Sequence, residues 1–440
     1  MSFPRCGVRA AVIVCAALAC GSALEAQSVS FEQTVADLSN RDRDARLRAT
    51  RDLKESAFPE AALSLARAVL DSDDGVQHEA IMGELNAFLA DRVVPRKRVG
   101  LVVEVRNRIS AQTIFESGSR AIDPRPVPSE VLTALRSASH DDNPQIALEA
   151  LYAFGALADN AYGPARRSLL SASAPELAAA LGVPQVEIRA TAMRVIGRLY
   201  AWRTGDLAVD QTVGDAVVTA LNDGDAAVRT PAIDVLGLLR YERGVQALTD
   251  IYQHYERGAN AAAALGALAW IGHPSSLPLF LSALSSRDPS LRAPAIEGVG
   301  RLGAVDQLPT ITALLAKERN EDALLAGHFA AVLLSNGAMD ELVGGLTRPK
   351  LRPMALRYLI DATPTRVRIV GPHLPDPQPA LRADLLDVLG LSGDQDAAAL
   401  ALQMREDTDP GVARAAARAL ARLQGVEALG VLERRRPQGQ

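Results

Sequence analysis

The sequence predicts an all-α fold, an α-solenoid of about eleven or twelve helical hairpins. A motif returns roughly every thirty to forty residues, the length of one supersecondary unit that is copied and stacked. Hydrophobic residues make up 48% of the 440-residue chain but aromatic residues only 4%, so helix-forming Ala and Leu dominate the apolar mass. One hydrophobic core seldom serves a chain of this length, whereas each repeat of a solenoid contacts only its neighbours.

The repeated motif has four parts in a fixed order: a turn containing Asp, an aliphatic–Arg pair, apolar residues four and eight positions later, and a small residue. Three clear copies are residues 225–237, 288–300 and 376–390. This spacing places the apolar side chains on one face of an α-helix. The Asp is expected to cap the helix. Ion pairs such as Asp288 with Arg292, or Asp225 with Arg229, are expected to form a ladder that ties neighbouring units together.

The first aliphatic position of the motif can be followed through most of the chain. It falls at Ala45, Val76, Ile146, Ile188, Val228, Asn260, Leu291, Leu325, Leu351, Leu381 and Val412. The positions four and eight residues later are mostly apolar, as a buried helix face requires. Glu84 interrupts the pattern, and Leu85 is expected to take the core position in its place. A second, less regular helix completes each unit, so one repeat is an αα-hairpin.

Two stretches depart from this rhythm. Residues 91–130 contain a basic helix-like run and then a Pro-rich segment, which together predict a degenerate repeat with an inserted loop. Residues 199–212 predict an extended link inside one repeat. The repeat domain is therefore expected to span residues 27–440 with one irregular region near its N-terminal end.

The N-terminal segment has the composition of a secretory signal peptide, predicted to cover residues 1–26. Arg5 and Arg9 provide a basic start, and the apolar run from Ala10 to Ala19 is followed by small residues. This run is shorter than the roughly 20 apolar residues that a membrane-spanning helix needs. We therefore expect an exported protein of the periplasm or cell envelope, with no transmembrane span in the mature chain.

The cleavage position has three alternatives. It follows Ala23 or Ala26, or it precedes Cys20 as in a bacterial lipoprotein signal, in which case Cys20 carries a lipid anchor at the outer membrane. The other cysteines, Cys6 and Cys15, also lie in the signal region. The mature chain is therefore expected to have no disulfide and no thiol nucleophile.

The motif resembles HEAT repeats, in the form first recognised in phycobilisome lyase subunits. The matching features are the Asp turn, the aliphatic–Arg pair, the apolar residue four positions later, and Leu-Gly or Val-Gly at the helix end. Pro231 and Pro294 are similar to the proline within the first helix of HEAT repeats. The resemblance covers roughly residues 42–432. It implies the fold, but HEAT arrays serve many roles, so it implies little about function.

Several catalytic or binding motifs are better explained as structure. Gly298, Gly300 and Gly303 match a dinucleotide fingerprint, but they lie where a helix ends rather than between a strand and a helix. His78-Glu79 resembles the His-Glu dyads of HEAT-fold deoxyhypusine hydroxylases, yet it is the only such dyad in the chain. The formal net charge of -5 does not favour nucleic acid. We expect no metal, no cofactor and no enzymatic activity.

Aromatic residues concentrate in three successive repeats of a chain that is otherwise poor in them. Tyr, Trp and Arg are enriched at interface hot spots. We therefore predict a partner-binding edge that includes Tyr200, Trp202, Arg203, Tyr241, Arg243 and Tyr255. The alternative for Tyr252 and Trp270 is that both are core residues.

A basic helix face is predicted near the C-terminus. Arg414, Arg418 and Arg422 are spaced four residues apart and so share one side of a helix. One interpretation is a solvated face that caps the stack, because terminal repeats need a polar outer side. The other is a surface for an acidic partner or for lipid headgroups.

The sequence thus favours a non-catalytic exported scaffold or adaptor that binds a protein or peptide partner through its repeat surface. A subunit of a lyase-like enzyme, implied by the resemblance, is the first alternative. A self-associating structural protein of the envelope is the second.

Overall fold

The computed structural model describes residues 30–56, 59–90, 110–201, 208–335, 337, 339–363 and 367–425. Helices account for nearly all of the regular structure in these ranges, and the one bridge between extended residues joins Leu89 to Ile122. The all-α prediction is confirmed. The predicted signal peptide, the first part of the irregular region near residues 91–130, residues 202–207 of the predicted link, and residues 426–440 lie outside the described residues.

The described helices form eleven hairpins, each with an outer helix followed by an inner helix. In chain order they are α1 (Phe31–Asp37) with α2 (Arg43–Ser56), α3 (Ala62–Ala68) with α4 (Asp74–Phe88), α6 (Ser129–Ala138) with α7 (Pro144–Leu157), α8 (Gly163–Ala180) with α9 (Val186–Tyr200), α10 (Gln211–Ala220) with α11 (Ala226–Leu239), α12 (Val245–Tyr255) with α13 (Ala259–Ile271), α14 (Leu277–Ala283) with α15 (Pro289–Arg301), α16 (Leu308–Leu315) with α17 (Glu321–Ser335), α18 (Asp340–Leu346) with α19 (Arg352–Ala362), α20 (Val367–Val370) with α21 (Pro379–Leu391), and α22 (Asp396–Gln403) with α23 (Pro410–Gln424). The extra helix α5 (Ala111–Glu116) belongs to no hairpin.

Inner helices pack against inner helices along the stack, and the motif's small residue makes this possible. A Cβ placed on Gly237, Gly300 or Gly390 would lie 2.9, 2.8 or 2.6 Å from the Cα of a residue on the next inner helix. Any larger side chain would therefore have to push two helix backbones apart. Glycine is needed at these three places because the inner helices touch backbone to backbone.

The Asp turns cap the inner helices as the sequence predicts. The side chains of Asp73, Asp225, Asp288 and Asp409 each accept a backbone N–H from the first turn of their helix, at 2.8–3.1 Å. These bonds satisfy donors that a helix start otherwise leaves without partners. The glycines of the dinucleotide-like motif are likewise structural, since Gly303 has φ +64° at the end of a helix.

In four hairpins the motif arginine ties neighbouring hairpins together, but its carboxylate partner is not the predicted one. Of the predicted pair Asp225 and Arg229, Asp225 instead caps its own helix and Arg229 donates to the carbonyl of Asp223. Asp288 caps its own helix, while Arg292 donates to Glu318 in the turn of the next hairpin at 2.7 and 2.9 Å. The same geometry joins Arg46 to Asp71, Arg189 to Asp223, and Arg382 to Asp407. Each of these guanidinium groups also donates to carbonyls of its own turn.

These ties are bidentate charge-assisted hydrogen bonds, the strong class of protein hydrogen bond. The bond from Arg292 is the main cause that lowers the pKa of Glu318, to about 2. The same kind of bond holds the pKa of Asp223 and of Asp407 below the ordinary carboxyl value. The predicted ladder therefore exists, shifted by one repeat, because the arginine side chain reaches past its own turn.

Glu84 occupies a core position without compensation. It is fully buried on α4, and neither of its carboxylate oxygens has a hydrogen-bond partner among the described residues. Burial raises its pKa well above the ordinary value. Equivalent positions in other inner helices hold Leu53, Leu236 and Leu389, all buried. The neighbouring Leu85 is buried as predicted, but Glu84 does not leave the core.

We expect the substitution Glu84→Leu to raise the free energy of unfolding by about 1–3 kcal/mol at pH 7, because a buried polar group without partners is removed. The gain should be smaller at pH 4. Below the unfolded-state pKa of about 4.3 the carboxyl is protonated in both states, and the penalty for neutralising it on folding disappears. Chemical denaturation at the two pH values measures both effects.

The matched control is Glu79→Gln on the same helix. Glu79 accepts a hydrogen bond from Arg51 at 2.9 Å and contacts Lys54, so its neutralisation should lower stability. If Glu84→Leu also lowers stability, or if its effect does not depend on pH, Glu84 is compensated in the native protein and our assignment is wrong.

Candidate functional site

The predicted aromatic edge is only partly exposed. Tyr200 and Tyr241 are buried, with 1% and 7% of their surface exposed, whereas Tyr255 is 47% exposed. Trp202 and Arg203 lie outside the described residues. The side chains of Tyr200 and Tyr241 are therefore not open to a partner in this structure. Partner binding through the predicted edge stays a prediction.

Local packing explains why Tyr241 is covered. Tyr241 follows α11 and folds back onto α10, where a Cβ on Gly214 would lie 2.4 Å from its ring. Its hydroxyl donates to Asp215 at 2.5 Å, and the exposed Arg243 pairs with the same carboxylate at 2.9 Å. Gly214 therefore makes room for an aromatic ring that the sequence pattern alone places in a loop.

Trp270 is half-buried and lies among three guanidinium groups. The distances from its ring centroid to the guanidinium carbon Cζ are 4.4 Å for Arg301, 4.6 Å for Arg357 and 5.8 Å for Arg240. Such cation–π contacts are strongest where the cation is shielded from water. Trp270 is thus neither an ordinary core residue nor an exposed anchor. Its ring is the apolar surface against which the charged groups pack on the inner side of the stack.

This cluster joins side chains of three inner helices, α13, α15 and α19, with Arg240, which directly follows α11. Arg301 on α15 donates to Glu297 at 2.8 Å and to Asp361 on α19 at 2.7 Å. The hydroxyl of Tyr358 donates to Glu297 at 2.8 Å. Burial opposes the charge of Arg301, but Asp361 and Glu297 outweigh it and raise its pKa. Arg301 and Arg240 are paired with carboxylates, whereas Arg357 contacts the ring of Trp270. The cavity beside Trp270 is about 10 Å³, at the lower limit for one water.

The described part of the irregular region, residues 110–128, folds back over the inner helices instead of continuing the stack. Helices α3 and α4 pack directly on α6 and α7, so the described part of the region, residues 110–128, does not supply a hairpin between them. Phe115 of α5 rests on Gly155, where a Cβ would lie 2.8 Å from its ring. The guanidinium of Arg198 stacks 4.7 Å from the same ring.

This segment also reaches the last two hairpins. Arg120, in the 3₁₀ turn Ser119–Ala121, donates to Asp384 at 2.6 Å and to Asp387 at 2.7 Å on α21. Arg418 of α23 donates to the backbone carbonyls of Ser119 and Ile122 at 2.8 and 2.6 Å. These contacts join residues 264–299 positions apart, so the inner face closes on itself.

The basic C-terminal face is therefore not a solvated cap. Arg418 is only 1% exposed, and Arg422 lies 3.5 Å from Asp387. Burial raises the pKa of Asp387, but Arg120, Arg422 and Arg418 outweigh this effect and lower it. The interpretation as a solvated face is wrong because residues 110–128, which we call the closing segment, cover this side of α23. The alternative, a surface that meets a negative group, stays a prediction.

A pocket opens beside this closure. Its volume is about 240 Å³, and its polar lining consists of Arg120, Arg414, Arg418 and Asp409. Two nitrogens of Arg418, Nε and Nη1, have no hydrogen-bond partner among the described residues. The sequence signal for Arg414 and Arg418 was their helical spacing. Nothing in the sequence marked Arg120, which lies outside the repeat pattern.

Other classes of site find little support in the described part of the chain. No three His, Cys, Asp or Glu side chains there come together as metal ligands. No helix described here is long and apolar enough to cross a membrane.

The fold and the cross-repeat ties define a protein of stacked helical hairpins. Residues 256–327 and 368–438 match a sequence model described as HEAT repeats. The chain thus contains HEAT repeats, and the structure extends the same hairpin arrangement to the other described repeats. HEAT repeats suggest a protein-interaction scaffold. No curated protein matches the chain.

Several solved structures are similar over much of their length. An engineered protein shares 16% identity, with 90% of this chain and 98% of that chain covered and a TM-score of 0.42. A chain from a study of the cadherin–β-catenin phosphorylation switch shares 15%, with coverages of 90% and 94% and a TM-score of 0.42. The CpcE–CpcF complex of phycocyanin lyase from Nostoc sp. PCC7120 shares 16%, with coverages of 68% and 96% and a TM-score of 0.35. At these scores the similarities add nothing to the functional argument.

We expect Arg120→Gln to loosen the closure, because the carboxylates of Asp384 and Asp387 lose their shared cation. The local stability of residues 110–128 and of α21 and α23 should fall by about 1–3 kcal/mol, since Arg120 is only partly exposed. Hydrogen–deuterium exchange in these segments should become roughly tenfold faster or more.

Arg240→Gln serves as the control. Arg240 also donates to a carboxylate, that of Asp361 at 2.9 Å, but Arg301 still pairs with that group after the change. Exchange in α21, α23 and residues 110–128 should then stay as in the unmodified protein. Unchanged exchange in the Arg120 variant would show that the closure does not depend on this ion pair.

Proposed function

We propose that the protein is a non-catalytic, exported scaffold that binds a protein or peptide partner through the outer surface of its HEAT repeats. The observation that supports this proposal is that the protein's own side chains occupy much of the inner face. Arg301, Tyr358 and Asp361 occupy it in the middle of the stack, and residues 110–128 cover it between α7 and α23. These contacts favour the outer surface as the face that meets a partner.

The outer surface retains two exposed members of the predicted binding set. Arg243 precedes α12 with 60% of its side chain exposed, and Tyr255 is the last residue of that helix. The ring of Tyr255 lies 4.9 Å from that of His254 in an edge-to-face contact. Arg243 and Tyr255 lie at opposite ends of α12. Both residue types are enriched at interface hot spots, and Tyr loses little entropy when it binds, so Tyr255 is the stronger candidate anchor for a protein partner.

We expect a photo-crosslinking amino acid at Tyr255 to capture one dominant protein partner in intact cells. The same probe at Asp234, which is exposed on the inner helix α11, should capture none. Mass spectrometry of the adducts identifies the partner. The captured protein should then bind the purified protein, and Tyr255→Ala should weaken that binding about tenfold or more.

Three results would contradict the outer-surface proposal. Capture at Asp234 but not at Tyr255 would place the partner on the inner face. Capture only of further copies of the chain would favour a self-associating structural protein. Absence of a crosslinked protein at both Tyr255 and Asp234 would leave the predicted surface without a partner.

Export is the second part of the proposal, and it is supported by the composition of residues 1–26. We expect the protein isolated from its native cells to begin at residue 24 or 27, or at a lipid-modified Cys20. Mass spectrometry of the N-terminal peptide distinguishes these results. With a Cys20 anchor, Cys20→Ser should release the protein from membranes, whereas Cys15→Ser should not. A native N-terminus at Met1 would overturn the proposed export.

A further inference from the structure

We propose that the groove between the first two outer helices, α1 and α3, binds two turns of a partner's amphipathic helix that presents aliphatic side chains and one carboxylate. The groove has a volume of about 370 Å³ and opens at the N-terminal end of the stack. It lies on hairpins other than the one that carries Tyr255. The inference rests on the proposed scaffold function and deepens it, because it names a second contact surface and the chemistry of the segment that fills it.

Small side chains on α3 leave the space that forms the groove. Ser64 and Ala68, one helical turn apart, line it from α3, and Val35 and Leu38 line it from α1 and its C-cap. The volume is more than twice the roughly 150 Å³ of an apolar cavity that holds benzene, so about two or three aliphatic side chains fit. The groove is therefore large enough for one face of a short helix.

Exposed apolar side chains concentrate on the rim of this groove. Phe31, Leu63 and Leu70 are 39%, 52% and 52% exposed, and they are three of the seven large apolar side chains that are exposed in the described part of the chain. Phe31 precedes Val35 by one turn on the same side of α1. Single exposed apolar residues are ordinary, but a group of them beside a groove marks an interaction surface.

Arg67 supplies a positive charge that no group of the protein neutralises. It is exposed on α3 and lines the groove, and its guanidinium has no hydrogen bond or ion pair with a described residue. The other arginine of the wall, Arg46, donates to Asp71 at 2.7 and 3.0 Å. Two arginines therefore face one carboxylate, which leaves one positive charge at Arg67. A partner with an acidic side chain complements this charge, whereas a basic partner does not.

The spacing of the wall residues matches a helix. On each wall three residues repeat at intervals of four and three positions: Phe31, Val35 and Leu38 on one, and Leu63, Arg67 and Leu70 on the other. Each row spans about 10 Å, or two helical turns. A partner helix placed between the rows meets them at the same spacing, as amphipathic helices do in apolar grooves. An extended peptide would find no sheet edge between these two helices to pair with its backbone.

The test is fluorescence anisotropy of a labelled synthetic peptide titrated with the purified protein. The probe is an Ala-rich helix of about 16 residues, with three Leu at intervals of four and three positions and one Glu beside the central Leu. We expect saturable binding with a Kd below about 100 µM. The same peptide with Lys in place of Glu should bind about tenfold more weakly or worse. Absence of saturable binding of the Glu peptide up to about 1 mM would overturn the proposal.

Variants then locate the site. Leu70→Asp places a negative charge on the apolar rim and should weaken binding of the Glu peptide about tenfold or more. The matched control is Leu402→Asp, the same change at a leucine of α22 that is 55% exposed, and it should leave the affinity within about threefold. Arg67→Glu should reverse the preference, so that the Lys peptide binds more tightly than the Glu peptide.

Three results contradict the assignment. Equal weakening by Leu70→Asp and Leu402→Asp would mean that the peptide adheres to exposed leucines in general. An unchanged preference for the Glu peptide in the Arg67→Glu variant would remove Arg67 from the site. A dimer of the protein alone that Leu70→Asp dissociates, as seen by analytical ultracentrifugation, would give the groove to a second copy of the chain. Circular dichroism of each variant verifies that its helices are retained.

The fate of this groove can be separated from that of the proposed function. The crosslinking position Tyr255 lies on α12 and takes no part in the groove. Capture of a partner at Tyr255 together with no peptide binding would refute the groove alone. Peptide binding that follows the predicted pattern, together with no capture at Tyr255, would refute the Tyr255 surface alone.

Discussion

The close approach of successive inner helices is the constraint on which the rest of the structure depends. At Gly237, Gly300 and Gly390 there is no room for even a Cβ between one inner helix and the next. Helices in contact at their backbones lie closer than helices separated by side chains, so the stack turns toward its inner side at these three steps. Such turns favour contacts between side chains of distant repeats on the inner face, like that of Arg120 with Asp384.

The filled inner face follows from that curvature. Polar side chains that would point into a water-filled groove in a more open stack instead meet each other, as Arg301 meets Asp361 sixty positions further along the chain. Charges brought together without water need partners, and in the central cluster Arg301 has two carboxylates while Arg357 stacks on Trp270. The closing segment adds the same kind of contact near the C-terminal end of the stack, where Arg120 pairs with Asp384 and Asp387 of α21.

The hairpins could be predicted from the sequence because they depend on local spacing, and four of the caps because Asp73, Asp225, Asp288 and Asp409 stand at the start of their helices. The ladder was predicted with the wrong partner, since Arg292 can reach either turn and only packing selects Glu318. Tyr241 was misplaced because its burial depends on Gly214 in a neighbouring helix. The contact of Arg120 with α21 could not be predicted, because no periodicity connects residues that lie 264 positions apart.

Two buried arginines show how the same residue type can serve different purposes in one fold. Arg301 donates to two carboxylates, stacks on Trp270 and Phe329, and adjoins a cavity of about 10 Å³. Arg418 donates through one nitrogen to two carbonyls, leaves two nitrogens without partners among the described residues, and adjoins a pocket of about 240 Å³. The first arrangement leaves no capacity for a further ligand, so Arg301 joins helices. In the second, two nitrogens have no acceptor among the described residues and are also closed off from the pocket, so Arg418 fastens α23 to the carbonyls of Ser119 and Ile122 and leaves two hydrogen bonds unmade.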